Sequence, residues 1–114
     1  MLKKEHSLKV RKEESGRIRN KYPDRIPIIC ERNPLCKQVP PLDKKKYLVP
    51  CELTVSQFMY IIRKRIQLNS DKAMFLFINN TIPPSSEIIS NVYTNSKDED
   101  GFLYVTYSGE QTFG

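Results

Sequence analysis

The segment DKKKYLVPCELTVSQFMYIIRKRI, residues 43–66, carries the two strongest structural signals of the chain. Its first part predicts a β-strand over residues 45–50, in which successive side chains point to opposite faces, so that Leu48 and Val49 give each face an apolar group. Three lysines, at 44–46, lead into its apolar residues, and Pro50 at its end has no N–H to donate to a neighbouring strand. These features predict a strand at the edge of a sheet, with unpaired backbone groups on its outer side.

The second part of the segment predicts a helix over residues 54–66. Thr54, followed three residues later by Gln57, forms the pattern of a capping box, in which side chains satisfy free backbone N–H groups. Apolar residues then recur at the spacing of a core-facing helix, namely Val55, Phe58, Met59, Ile62 and Ile66. At 100° per residue, Phe58, Ile61 and Arg65 lie on a neighbouring flank of that helix, offset from the centre of the apolar stripe.

The rest of the chain supplies further elements around this segment. In chain order the predicted elements are a helix over 3–21, strands over 25–31 and 45–50, the helix over 54–66, a strand over 74–78, a short helix from 83 to 92 or 93, and a strand over 102–107. This order predicts an α+β domain of the ubiquitin-like β-grasp type, in which a helix crosses a four-stranded mixed sheet. The apolar strand over 74–78 is expected to be buried on both faces. We assign residues 1–22 to an N-terminal helical arm, 23–107 to the core and 108–114 to a flexible C-terminal tail.

Charge is distributed unevenly along the chain, which has 114 residues and a net charge of +6. Residues 1–25 carry nine Lys/Arg against four Asp/Glu, and residues 26–70 carry eight against three, whereas residues 71–114 carry two against six. A basic surface favours an acidic partner, whether a peptide, a nucleic acid or an anionic membrane. Because an unpaired strand edge accepts an extended peptide, we interpret the edge at 45–50 as a peptide-docking site.

The sequence lacks the residue groups that enzymes and metal sites use. His6 is its one histidine and lies in the charged arm, and Cys30 and Cys51 fall in or beside predicted strands, where a buried thiol is more common than a nucleophile. The spacing of these cysteines and Cys36 is unlike that of zinc ligands. The carboxylates at 98–100 resemble a solvated turn more than a metal site. We therefore expect neither catalytic residues nor a metal or cofactor.

The cysteine count also bears on the cellular compartment. Three cysteines are an odd number without a disulfide framework, which favours free thiols in a reducing cytoplasm. The N-terminal residues lack the apolar stretch of a secretory signal, and no apolar run approaches 18 residues.

The C-terminus is the most unusual part of the sequence, because a strand is followed by the polar segment SGEQTFG at 108–114. Fully extended, seven residues reach roughly 23 Å. A terminal glycine has no side chain to block attack at its carbonyl carbon, so Gly114 can enter a narrow active site as an acyl donor. A frayed end that stops at a glycine is the alternative interpretation.

Several motifs together resemble the GABARAP-like autophagy modifiers. They are KYPDRIP at 21–27, DKKKYLVP at 43–50, LTVSQF at 53–58, RKRI at 63–66 and KDEDGFLYVTYSGEQTFG at 97–114. The resemblance implies a ubiquitin-like core with an N-terminal helical extension. It also implies that Gly114 is activated as a thioester on an activating enzyme, passed to a conjugating enzyme and joined to phosphatidylethanolamine. A processing and delipidating cysteine protease is then a further partner, and the protein is expected to be cytoplasmic and reversibly attached to autophagosomal membranes.

The same resemblance implies two pockets that bind linear motifs of autophagy receptors and adaptors, each motif with an aromatic and an aliphatic anchor. The first pocket would be formed by Glu14, Ile18, Pro27, Ile29, Lys46, Leu48 and Phe102. The second would be formed by Tyr47, Val49, Pro50, Leu53, Phe58 and Ile61. Arg25 and Arg65 would supply charges at the rim. Strand geometry agrees, because Lys46 and Leu48 point to one face and Tyr47 and Val49 to the other.

Two segments depart from the pattern of the family that the chain resembles. Ser7-Leu8 stands where relatives commonly have a proline and an aromatic residue. The connection at 33–38, which includes Cys36, also differs, and we expect it to be a solvent-exposed loop.

Two other functions stay open from the residues. One is an unconjugated ubiquitin-fold adaptor that binds peptides through the same edge. The other is nucleic-acid association, which would explain the charge but is secondary, because aromatic and basic residues interleave at Lys46-Tyr47 alone. We expect no nucleic-acid partner.

Overall fold

The computed structural model describes residues 2–110, apart from the side chain of Leu2. Its elements, in chain order, are α1 (Leu2–Glu5), α2 (Leu8–Lys21), β1 (Arg25–Arg32), β2 (Lys46–Pro50), α3 (Val55–Arg65), β3 (Phe75–Phe77), α4 (Ile89–Ser96) and β4 (Leu103–Ser108). The predicted α+β class is confirmed, and so is the predicted order of strands and helices from β1 onward.

The four strands form one mixed sheet in the order β2-β1-β4-β3. β1 runs antiparallel to β2 and parallel to β4, and β3 runs antiparallel to β4. Within residues 2–110, β2 therefore pairs with β1 along one side and has no strand partner along the other. This confirms the edge position that the lysines and Pro50 predict. In β3, at the opposite edge, the adjacent residues Leu76 and Phe77 are both buried, as expected for a strand covered on both faces.

α3 packs against the sheet and begins with the predicted capping box. Gln57 N donates to Thr54 Oγ1 at 3.2 Å, and Thr54 N donates to Gln57 Oε1 at 2.9 Å. Phe58 is wholly buried in the main core, where its ring meets that of Tyr47 edge-on with centroids 6.0 Å apart. The prediction that Phe58 belongs to the core-facing stripe of this helix is therefore confirmed, whereas its assignment to the offset flank with Ile61 and Arg65 is wrong. The bulk of a phenylalanine ring draws it inward, since its full burial stabilises the fold by about 1.5–3 kcal/mol.

The fourth helix begins later than predicted. Residues 83–88 are not helical, and α4 starts at Ile89. The chain before α4 instead bonds to the first turn of α3, because Val55 N donates to Glu87 O and Ser56 N donates to Ser85 O, each at 2.9 Å. These contacts satisfy N–H groups that a helix start leaves free, and they hold the prolines and serines in a non-helical path.

The N-terminal arm consists of two helices, not one. Ser7 separates them and caps the second, since its Oγ accepts from Val10 N at 3.3 Å. α2 ends at Lys21, immediately before Tyr22-Pro23, as predicted.

The acidic turn at 98–100 binds the arm to the core. Asp100 is fully buried, and its Oδ2 accepts from Arg11 Nη1 at 2.7 Å and from the Tyr104 hydroxyl at 2.5 Å. Ser15 Oγ of α2 donates to the Asp100 carbonyl oxygen at 2.5 Å. The prediction of a solvated turn is thus wrong for Asp100, whose charge is matched by a cation 89 positions away in the sequence. We call Arg11, Ser15, Asp100 and Tyr104 the arm clamp.

The connection at 33–38 is a loop in which four residues are exposed, as expected, but Asn33 and Cys36 are buried, so the expectation is wrong for these two residues. Cys36 is buried, and its Sγ accepts from Gly109 N at 3.2 Å. Burial acts to raise the pKa of the Cys36 thiol, but the hydrogen bonds it receives, led by those from Ser108 and Gly109, lower that pKa overall. The connection therefore holds the chain where β4 leads into the C-terminal tail.

Candidate peptide-docking site

β2 presents alternate side chains to the two faces of the sheet. Tyr47 and Val49 are 7% and 4% exposed and belong to the core, whereas Leu48 is 37% exposed on the opposite face. The Tyr47 hydroxyl donates to Lys44 O at 2.7 Å, which satisfies its polar end. Leu48 is therefore the apolar side chain that this edge offers to a ligand.

The apolar residues predicted for the first pocket come together beside Leu48. Pro27 of β1 is directly opposite Leu48 in the strand register. Two positions along β1, Ile29 forms a small buried cluster with Phe102, and half-buried Ile18 of α2 packs against that cluster. Leu48 and Ile18 are thus the apolar side chains that retain exposed area between α2 and β2, above the buried Pro27, Ile29 and Phe102, on the face of the sheet away from α3.

An ion pair joins the two sides of this surface. Lys46 Nζ of β2 donates to Glu14 Oε1 of α2 at 2.5 Å, and both side chains retain contact with solvent. Solvent-exposed ion pairs contribute only about 0–1 kcal/mol. Lys46 or Glu14 can therefore give up this ion pair and bind a charged group of a ligand at a small cost in free energy.

The residues predicted for the second pocket divide by burial. Three of them belong to the core and form its floor: Tyr47, Val49 and Phe58. The other three retain exposed surface: Pro50, Leu53 and Ile61. Leu53 N donates to Pro50 O at 3.1 Å, which fixes the turn that follows β2. A ligand would touch the exposed three, with the core residues setting the shape beneath them.

Both predicted rim arginines have partners within the chain. Arg65 Nε donates to Asp43 Oδ1 at 3.0 Å, and this hydrogen bond holds the pKa of Asp43 below its usual range. Arg25 Nη1 reaches the carbonyl oxygen of Leu48 at 3.4 Å, on the strand that carries the site. Sequence reasoning missed Asp43 as the partner of Arg65, and no local pattern links residues 22 positions apart.

Sequence reasoning also missed Arg19. Its Nη1 donates to Pro23 O at 3.2 Å and to Arg25 O at 2.6 Å, so it fixes the turn between α2 and β1. That turn sets where Ile18 stands relative to Pro27. An arginine in a highly charged helix gives no sequence signal for such a role.

Residues 2–110 contain neither a candidate metal site nor a candidate membrane-spanning helix. Among residues 2–110, no group of three or more His, Cys, Asp or Glu side chains is placed to hold a metal ion. None of the helices in that part of the chain combines the length and apolar character of a bilayer-crossing segment. The predicted conjugation residue, Gly114, lies outside the described residues.

The fold and the site together define a ubiquitin-like protein whose edge strand lies beside exposed apolar surfaces. The chain belongs to the Atg8 family, because the family model described as "Autophagy protein Atg8 ubiquitin like" matches residues 10–114. The ubiquitin-like fold and the predicted relation to autophagy modifiers are thereby confirmed at the level of this family.

Individual relatives match over nearly the whole chain. Autophagy-related protein 8c of Arabidopsis thaliana is 60% identical over 113 residues, which cover 99% of this chain and 94% of that protein. Autophagy-related protein 8 of Mycosarcoma maydis is 57% identical over 113 residues, covering 99% of this chain and 95% of that protein. The crystal structure of Trypanosoma brucei ATG8 matches with a TM-score of 0.87 at 46% identity, covering 96% of this chain and 93% of that chain.

Proposed function

We propose that this protein is a ubiquitin-like modifier that is conjugated through Gly114 to phosphatidylethanolamine, acts in autophagosome formation and recruits receptors through short linear motifs. Membership of the Atg8 family supports the role in autophagy. The observation that carries receptor binding is the outer edge of β2, which has no strand partner in the described chain and is flanked by Leu48 and Ile61, each 37% exposed.

Recognition would follow from strand addition. An extended peptide that pairs with the outer edge of β2 gains backbone hydrogen bonds, and its alternate side chains reach the two apolar surfaces. The aromatic and aliphatic anchors give specificity by covering Leu48 on one face and Ile61 with Leu53 on the other. Basic residues around the edge speed the approach of acidic peptides more than they strengthen the final complex.

Conjugation would use the C-terminal glycine as the acyl group. An activating enzyme would use ATP to convert the carboxylate of Gly114 into an acyl-adenylate, releasing pyrophosphate, and its thiol would then displace AMP to form a thioester. The thiol of a conjugating enzyme would take over the acyl group and release the first thiol. The phosphatidylethanolamine amine would finally attack the carbonyl carbon, forming an amide and releasing the thiol of the conjugating enzyme. The two acyl chains of the lipid anchor the protein stably, which a basic patch alone does not achieve. A cysteine protease that cleaves this bond would return the protein from the autophagosomal membrane to the cytoplasm.

The test of conjugation is a reconstituted reaction with activating enzyme, conjugating enzyme, ATP and phosphatidylethanolamine vesicles. We expect Gly114→Ala to give no lipid-linked product, because the added methyl group obstructs attack at the carbonyl carbon. Gly16→Ala is the matched control, since a Cβ at Gly16 meets no atom within 4 Å, and it should react like the wild type. Equal lipid attachment by Gly114→Ala would contradict the proposal, and no product from the wild type would favour the unconjugated adaptor.

A further inference from the structure

Glu31 lies next to the first pocket on the same face of the sheet. It follows Ile29 by two residues in β1, so the two side chains point the same way, about 7 Å apart along the strand. Ile29 is paired with Lys46, the first residue of β2, so Glu31 stands just past the end of that strand. On its other side Glu31 is opposite Thr106 of β4. A peptide along β2 that fills the first pocket would therefore meet Glu31 next.

One carboxylate oxygen of Glu31 lacks a hydrogen-bond partner. Oε1 is buried from solvent, and no donor among the described residues reaches it. Buried polar atoms in folded proteins are nearly always hydrogen-bonded, because an acceptor removed from water without a replacement donor is unfavourable. A ligand that supplies a donor would remove this penalty.

Space for such a ligand adjoins Glu31 on two sides. Glu31, Arg32 and Pro34 line both of two neighbouring cavities, of about 270 Å³ and about 240 Å³. The first is completed by Lys4 and Thr106, and the second by Pro41, Leu42 and Lys45. We call the two cavities together the Glu31 subsite.

The charges of the lining select among possible ligand groups. Lys4, Arg32 and Lys45 bring three cations against one carboxylate, so a further cation is disfavoured. A carboxylate would place its own charge against the buried oxygen of Glu31. A side-chain amide carries an N–H donor and a carbonyl acceptor at the same end, and it matches this mixed lining without added charge.

We infer that the Glu31 subsite binds the side-chain amide of a glutamine in the docked peptide. This residue would stand two positions beyond the first-pocket anchor, on the side away from the second pocket, because side chains on one face of a strand recur every two residues. Its N–H donates to Glu31 Oε1, and its carbonyl oxygen accepts from a lysine of the lining. The peptide and β1 would lie two strand spacings apart, about 9.6 Å, so the long side chain of glutamine and that of Glu31 have to meet across β2. The inference rests on the proposed peptide docking along β2.

The experiment uses one motif peptide in four versions, with Gln, Ala, Lys or Glu at that position. Binding to the full chain is measured by titration calorimetry. A hydrogen bond to a charged acceptor strengthens binding by about tenfold, so we expect the Gln peptide to bind about tenfold more tightly than the Ala peptide. Glu31→Ala should bring these two peptides within twofold of each other while leaving the affinity of the Ala peptide unchanged. Glu31→Gln, which keeps an acceptor oxygen, should retain part of the preference.

Glu99→Ala is the matched control, since it removes an exposed carboxylate that lines neither cavity, and it should keep the full preference for Gln. Equal binding of the Gln and Ala peptides to the wild type would overturn the subsite, and so would a preference that survives Glu31→Ala. Tightest binding by the Lys peptide or by the Glu peptide would overturn the assignment to an amide. If the Ala peptide binds and Leu48→Ala weakens it, docking along β2 stands whatever happens at Glu31. If none of the four peptides binds the wild type, both ideas fail.

Discussion

Leu48→Ala and Val49→Ala should separate peptide binding from folding, because these neighbours in β2 point to opposite faces. Leu48 is 37% exposed, so about a third of its surface remains for a ligand to cover, whereas Val49 is 4% exposed and buried in the core. The first substitution should therefore act mainly on affinity and the second mainly on the free energy of unfolding.

The magnitudes follow from the carbon atoms removed. Leucine to alanine removes three carbons, each worth about 0.8 kcal/mol when buried, so full burial amounts to about 2.4 kcal/mol. About two thirds of the Leu48 side chain is already buried in the free protein, so Leu48→Ala should lower the free energy of unfolding by about 1.5 kcal/mol. The exposed third is covered only in the complex, so its loss should weaken peptide binding by about 1 kcal/mol. The facing peptide side chain loses its matching contact, which raises the total loss on binding to about 2 kcal/mol, or about thirtyfold in Kd. Val49→Ala should cost about 2–3 kcal/mol of unfolding free energy with little change in Kd.

Urea denaturation followed by far-UV circular dichroism gives the unfolding free energies, and titration calorimetry with a motif peptide gives Kd. Leu35→Ala is the control, because Leu35 is 73% exposed in the connection between β1 and β2, and both quantities should change by less than about 0.5 kcal/mol. Wild-type affinity in Leu48→Ala would refute the reasoning. So would an equal loss of affinity in a Val49→Ala protein that is still folded.

Two further predictions concern stability. Gly101→Ala should lower the unfolding free energy by about 1–3 kcal/mol, because Gly101 has a φ of +89° and a Cβ there would lie 2.3 Å from Ser15 Oγ. Gly16→Ala, in the open part of α2, should raise the free energy of unfolding by about 0.5–1 kcal/mol in the same urea assay. Equal effects of the two substitutions would contradict the predicted clash between a Cβ at Gly101 and Ser15. Stability should also fall at high pH, because burial raises the pKa of Tyr47 to about 12 and also raises that of Cys30. An unfolded tyrosine titrates near pH 10, so the contribution of Tyr47 is complete below about pH 10 and is lost as the pH rises towards 12. Tyr47→Phe should reduce this loss of stability when thermal unfolding is followed at a series of pH values. If stability falls as steeply with pH in Tyr47→Phe as in the wild type, the prediction is wrong.

Local sequence patterns predicted the structure correctly where residues close to one another in the sequence determine it. The capping box at Thr54 and Gln57 depends on residues three apart, and the structure contains both of its hydrogen bonds. The edge position of β2 was predictable because Pro50 and the preceding lysines are unsuited to a strand paired on both sides.

Predictions failed where a distant partner changes the environment of a residue. Asp100 looked solvated because Arg11, which matches its charge, lies 89 positions away in the sequence, in α2. Cys36 looked exposed because its contact with Gly109 forms only once β4 is in place. The start of α4 shifted because the preceding residues bond to α3.

The candidate site shows the same division. The resemblance gathered residues such as Ile18, Ile29 and Phe102, and the structure brings these three together. The helical pattern placed Phe58 both in the core-facing stripe and on the offset flank and could not decide between them, and no pattern shows that Glu31 keeps an unsatisfied oxygen. Both properties depend on which side chains surround a residue, which the order of residues does not specify.

The arm clamp makes the N-terminal helices part of the cooperative unfolding of the domain. If α2 lifts away, Asp100 loses Arg11 while it still accepts from Tyr104 and Phe102, and the start of β4 is left with a poorly compensated negative charge. Backbone amides of α2 and β4 should therefore exchange hydrogen with solvent together, as one unit. A protein shortened to begin after residue 22 would lose one wall of the first pocket and, with it, part of the force that holds the last strand in register.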